Sequence, residues 1–136
     1  MRSAMSAARG FAAMDARSLR SAVWALRSLN RSRRQLRTGG VAAVDLTSPA
    51  SVRALDRRVL LAVLRVHRAS CLERSVVLQR FDSSAGRRRV LIVAVTKPGA
   101  DFRAHAWLEG ERQRDPALRE IARFAAPVLT TVDPGR

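Results

Sequence analysis

The 136-residue chain contains one cysteine and two histidines, so thiol and imidazole chemistry has few residues to draw on. Cys71 lies in Ala69-Ser70-Cys71-Leu72-Glu73-Arg74-Ser75, where Ser70 and Glu73 have the spacing of a helix N-terminal capping box. That spacing predicts a helix beginning at Cys71, with the thiol in its first turn. Backbone N–H groups there lack intrahelical partners and the helix dipole is positive, which favours a thiolate. Cys71 is therefore a candidate nucleophile; the plain alternative is a small buried hydrophobe.

Nucleophilic catalysis by a thiol needs an imidazole to take and return its proton, and a carboxylate or amide to orient that imidazole. His67 sits on the helix before Cys71, across a helix break, and reads as structural or solvated. His105 falls in mid-strand between Ala104 and Ala106, whose small side chains leave room for a helix terminus and a substrate. The plain alternative for His105 is a hydrogen-bonded sheet histidine. Cys71, His67 and His105 lack the Cys-x-x-Cys or His-x-x-x-His spacing of a zinc site, so neither metal nor cofactor is expected.

Several elements must position these residues. Residues 1–40 carry nine arginines and one acid, Asp15, a composition like that of a transit peptide. Leu19, Ala22, Val23, Leu26 and Leu29 nevertheless recur at helical spacing, which predicts an amphipathic helix packed through that stripe and ended by Thr38-Gly39-Gly40. Thr47-Ser48-Pro49 supplies caps and a first-turn proline for a second helix running to about His67, with Leu55, Val59, Ala62, Val63 and Val66 as its buried stripe. The helix from Cys71 carries Val76, Val77, Leu78 and Phe81 and stops in the 82–86 stretch. Residues 90–96 form an apolar, β-branched run that predicts a central strand, and residues 102–109 alternate as a second, antiparallel strand. Residues 116–124 read as a short helix and 128–132 as a last strand. The chain thus divides into a basic helical segment, 1–48, and a core, 49–136, of α+β class: N-terminal helices followed by a small antiparallel sheet.

Of the 26 basic residues only Lys97 is lysine, so the formal charge of +15 comes from 25 arginines. With abundant alanine and valine and no tyrosine, this is the mark of a GC-rich coding bias, and the few scattered aromatics form no base-stacking platform. Nucleic acid is not the expected partner. No apolar run reaches membrane-spanning length and no secretory h-region opens the chain; with one cysteine, no intrachain disulfide is possible. A cytoplasmic protein without membrane association is expected.

Cys71-Leu72-Glu73-Arg74-Ser75 is followed, after a helix, a glycine turn and a hydrophobic strand, by Ala104-His105-Ala106-Trp107-Leu108-Glu109. This pair of motifs, in this order, resembles the leader peptidase of lasso-peptide biosynthesis, a family of the transglutaminase-like superfamily with a papain-like order of nucleophile and base. The resemblance runs from about residue 50 to about residue 125. It implies that Cys71 is the nucleophile, that His105 is the general base and acid, and that Asp115 orients the imidazole, with Asp133 and Glu109 as lesser candidates. The proline after Asp115 departs from the family pattern. The implied reaction is attack of the thiolate on a peptide carbonyl, formation of a thioester and its hydrolysis, with the Cys71 N–H as one oxyanion donor. Trp107, two residues from His105, would either roof the site or pack in the core. The form resembled is the split type, whose partners are the precursor peptide, a separate leader-recognition protein and an ATP-dependent macrolactam cyclase. The other functions in play are acyl transfer or amide cross-linking by the same thiolate, and a non-catalytic basic binding protein.

Overall fold

Asp15 begins the first helix by accepting the Ser18 N–H at 2.8 Å, and that backbone bond is the main reason its carboxyl ionises below the usual aspartate range. The computed structural model describes residues 15–41, 44, 56–96, 102–112 and 115–126. Helix α1 (Ala16–Gly39) ends at Gly40, whose φ of 71° is in the region that favours glycine. Its buried face differs from the predicted stripe. Leu29 is buried, but Leu19, Val23 and Leu26 are exposed, and the inward positions are Ser21, Ala25, Ser28 and Ser32. The serines serve as small spacers because their hydroxyls bond locally: Ser21 Oγ donates to the Arg17 carbonyl at 2.7 Å and Ser32 Oγ to the Leu29 carbonyl at 2.8 Å.

Helix α2 (Arg57–Val66) is capped by Asp56, so its start is later than the predicted caps at residues 47–49, which lie outside the described residues along with Leu55. Its buried residues are Leu60 and Leu64, four apart, whereas Ala62 and Val66 of the predicted stripe face solvent. Arg57, Arg58 and Arg65 interrupt its apolar residues, and contact with α1 sets which of those residues turn inward. The helix closes in a Schellman motif: the Arg68 N–H donates to Arg65 O at 3.1 Å and the Ala69 N–H to Leu64 O at 2.9 Å. The motif puts Arg68 at φ 51°, a left-handed conformation normally filled by glycine. Arg68→Gly should therefore raise stability by about 1 kcal/mol. Urea unfolding measures this, and an unchanged or lower midpoint would contradict the assigned backbone.

Helix α3 (Cys71–Ser84) begins and ends as its sequence predicts and buries Val76, Val77, Leu78 and Phe81, the last against Trp24 of α1 at 6.0 Å between ring centroids. Strands β1 (Leu91–Val95), β2 (Ala104–Leu108) and β3 (Arg119–Phe124) form one antiparallel sheet in the order β2-β1-β3, with the apolar run in the centre. Residues 119–124 are thus a strand and not the predicted helix. Leu118, Ile121 and Ala122 have helical spacing, but Asp115 and Pro116 form a tight turn, and β3 then pairs with the open edge of β1. The predicted strand at 128–132 lies outside the described residues. Ala25, Leu29, Leu60, Leu64, Leu78, Leu91 and Leu108 meet in one core between the helices and one sheet face, each large side chain contributing roughly 1.5–3 kcal/mol by burial. Gln79, buried on α3, donates to the carbonyls of Arg89 and Phe124, both at 2.9 Å, and so pins helix to sheet. Among the described residues no helix is long and apolar enough to cross a membrane.

Candidate active site

Cys71 is the first residue of α3, half-buried against the core. The capping box is complete: Ser70 Oγ accepts the Glu73 N–H at 3.2 Å, and Glu73 Oε2 accepts the Ser70 N–H at 3.5 Å. Glu73 Oε2 also accepts the Arg33 Nε–H at 2.8 Å, while a second Arg33 nitrogen donates to the His67 carbonyl at 2.7 Å. One guanidinium on α1 thereby ties the end of α2 to the first turn of α3, a two-sided link that a lysine could not reproduce. The backbone at the thiol is held by a Schellman cap, a capping box and this clamp. Arg33 carries no signal in the sequence, since its partners lie 34 and 40 residues away. Among the described residues the N–H groups of Cys71 and Leu72 make no hydrogen bond, so the helix start presents donors to a developing negative charge.

His105 is the second residue of β2 and is exposed, with its ring stacked on Trp107 at 5.8 Å between centroids and 25° between planes. Trp107 is half-buried and covers one face of the imidazole. Strand alternation sets this pair on the face opposite Ala106 and Leu108, which belong to the core. The helix and the strand meet at Ser75, one turn after Cys71, whose buried hydroxyl donates to the Ala106 carbonyl at 3.3 Å. Arg74 adds a second link, an ion pair to Glu111 beyond the end of β2 at 3.3 Å. Helix α3 and strand β2 are thus joined, with Cys71 packed against the core and His105 on the other face of the sheet. Among the described residues no side-chain hydrogen bond joins Cys71 and His105; the 5.8 Å stack orients the ring toward tryptophan.

Asp115 stands in the turn before β3. One carboxylate oxygen accepts the Ala117 N–H at 2.9 Å, and the other pairs with Arg103 at 3.7 Å. Arg103 precedes His105 by two residues, so the carboxylate is anchored at the end of the sheet where β2 begins. Glu109 lies in the exposed turn after β2, Asp133 lies outside the described residues, and His67 is the exposed C-cap of α2. A further carboxylate shares the His105 row, because Ala94 pairs with His105 on one side and Glu120 on the other. Glu120 is engaged by Arg123, and that bond raises the Arg123 pKa. Among the described residues no cluster of three or more His, Cys, Asp or Glu side chains comes together as a metal site.

A thiol at a capped helix start is followed in the chain by an imidazole on a packed strand and a carboxylate before the next strand. A family model described as the transglutaminase-like superfamily matches residues 16–126. The chain belongs to this superfamily. The matched span takes in the three helices and three strands of the described residues, with Cys71, His105 and Asp115. The α+β architecture of three helices and a three-stranded antiparallel sheet is consistent with such a domain, and membership is compatible with a cysteine peptidase or an acyltransferase. No curated protein and no solved structure gives a match.

Proposed function

We propose that this transglutaminase-like protein is a cysteine peptidase that removes the leader from a ribosomally made lasso-peptide precursor. The observation that carries the reading is the start of α3, where the chain's one cysteine lies within a complete capping box on the helix packed against the strand bearing His105. In the proposed reaction His105 takes the thiol proton, Cys71 Sγ attacks the scissile carbonyl, and first-turn N–H groups stabilise the oxyanion. The amine leaves with the proton returned by His105, and a water deprotonated by the same imidazole hydrolyses the thioester. Asp115 orients the ring, and Trp107 limits the water around it.

The same reading requires a separate leader-recognition protein. Among the described residues every strand belongs to the single sheet that carries His105, and the Ala106 carbonyl on β2 is taken by Ser75. No second sheet is present there to capture an extended leader by strand addition. A partner that binds leader and protease together raises the effective concentration of the scissile bond, worth about a hundredfold or more. The test is precursor cleavage by purified protein with and without the candidate recognition protein, followed by mass spectrometry. Equal rates would show that this chain reads the leader unaided. Transfer of the acyl group to an added amine, with no hydrolysis in its absence, would assign the chain to acyl transfer instead.

A further inference from the structure

Helix α2 forms one wall of a groove of about 600 Å³, within the range of small-ligand sites. Its floor is apolar, made by Leu61, Ala62, Leu64 and Ala69, and its rim carries Arg58, Arg65 and Arg74. Arg58 and Arg65 are seven residues apart, two turns along one helix face, with Leu61 and Ala62 between them. Among the described residues neither guanidinium makes an ion pair, whereas Arg74 is paired with Glu111 at 3.3 Å. Ala69 and Arg74 bracket Cys71 in the chain, and Arg74 lies on α3 about one helical turn beyond it. An apolar floor beside unpaired cations suits an extended segment that alternates aliphatic and acidic side chains. Guanidinium groups bind carboxylates through paired N–H donors, with more geometric selectivity than a diffuse positive surface.

We propose that this groove is the substrate channel leading to Cys71 and that it selects peptides carrying a carboxylate side chain next to an aliphatic one, read by Arg58 and Arg65. The inference takes from the peptidase reading only that the ligand is a peptide presented to the thiol. Two fluorescein-labelled octapeptides test it, one of alternating leucine and aspartate and the other with asparagine in place of each aspartate. Both are titrated by fluorescence anisotropy into the full-length Cys71→Ser protein, which binds without turnover. The aspartate peptide should bind about tenfold more tightly at low salt, and the preference should shrink as salt is raised. An Arg58→Gln/Arg65→Gln variant should lose it, while Arg20→Gln/Arg27→Gln, which removes the same charge from α1, should keep it. Equal affinity for the two peptides overturns the proposal, as does a preference that survives in the α2 variant or disappears in the α1 variant. These outcomes are independent of catalysis. A wild-type protein that cleaves no precursor, but shows the Arg58- and Arg65-dependent preference, would refute the peptidase reading and leave the groove standing.

Discussion

Cys71→Ser should abolish precursor cleavage, and His105→Ala should do the same, each lowering turnover by about 10⁴-fold or more. A serine hydroxyl replaces the thiol with little change in size, but it is a far weaker acid and is not activated by a helix start to the same degree. Removing the imidazole leaves the thiol without a group to take its proton and return it to the departing amine. The double variant should be hardly slower than either single one, because residues that act in one proton-transfer unit are not additive. In the proposed mechanism Asp115 acts on the orientation and charge of His105 and not on substrate binding, so Asp115→Asn should lower kcat by orders of magnitude with little change in KM. Circular dichroism and urea midpoints should match the wild type for Cys71→Ser and His105→Ala, as one position is half-buried and the other exposed. Cleavage retained by either variant would end the proposed mechanism, and a kcat unchanged in Asp115→Asn would remove that residue from it.

The largest stability effect is expected at Asp82, which lies far from the thiol on the last turns of α3. Its carboxylate is almost fully buried, 2% exposed, between Arg57 Nη1 at 3.5 Å and Arg89 Nε at 3.8 Å. Both arginines are about a third exposed, so they keep part of their hydration while the carboxylate has lost nearly all of its own. Arg57→Met/Arg89→Met would strand a buried anion, at a cost of about 3–5 kcal/mol, a large part of the stability of a domain this size. Adding Asp82→Leu to that pair should recover most of the loss, because a buried ion pair can be replaced by packed apolar side chains at little net cost. Urea denaturation of the double and triple variants measures both effects. A double variant as stable as wild type would show that the carboxylate is not held by these two cations.

The start of α3 could be read from seven residues because a capping box is a local device: Ser70 and Glu73 satisfy each other's N–H groups whatever surrounds them. The apolar run at 90–96 was similarly legible as the central strand, since a strand covered on both faces needs no alternation. The stripes of α1 and α2 were not. Period alone identifies a helix, but the face that turns inward depends on what fits against it. In α1 close packing selected the side with Ser21, Ala25, Ser28 and Ser32 over the leucine-rich one. Residues 119–124 show the same limit. Their spacing suits a helix, but the hydrogen bonds offered by the open edge of β1, almost thirty residues earlier, make them a strand. Through its own residues and short-range geometry, the sequence determined a thiol at a capped helix start and a later strand imidazole. The tertiary structure decided what holds their elements, the reach of Arg33 from α1 and the Ser75 bond to the β2 edge, and it anchored Asp115 on Arg103. Those contacts join residues far apart in the chain, and no local pattern can encode which distant partner a long side chain will meet.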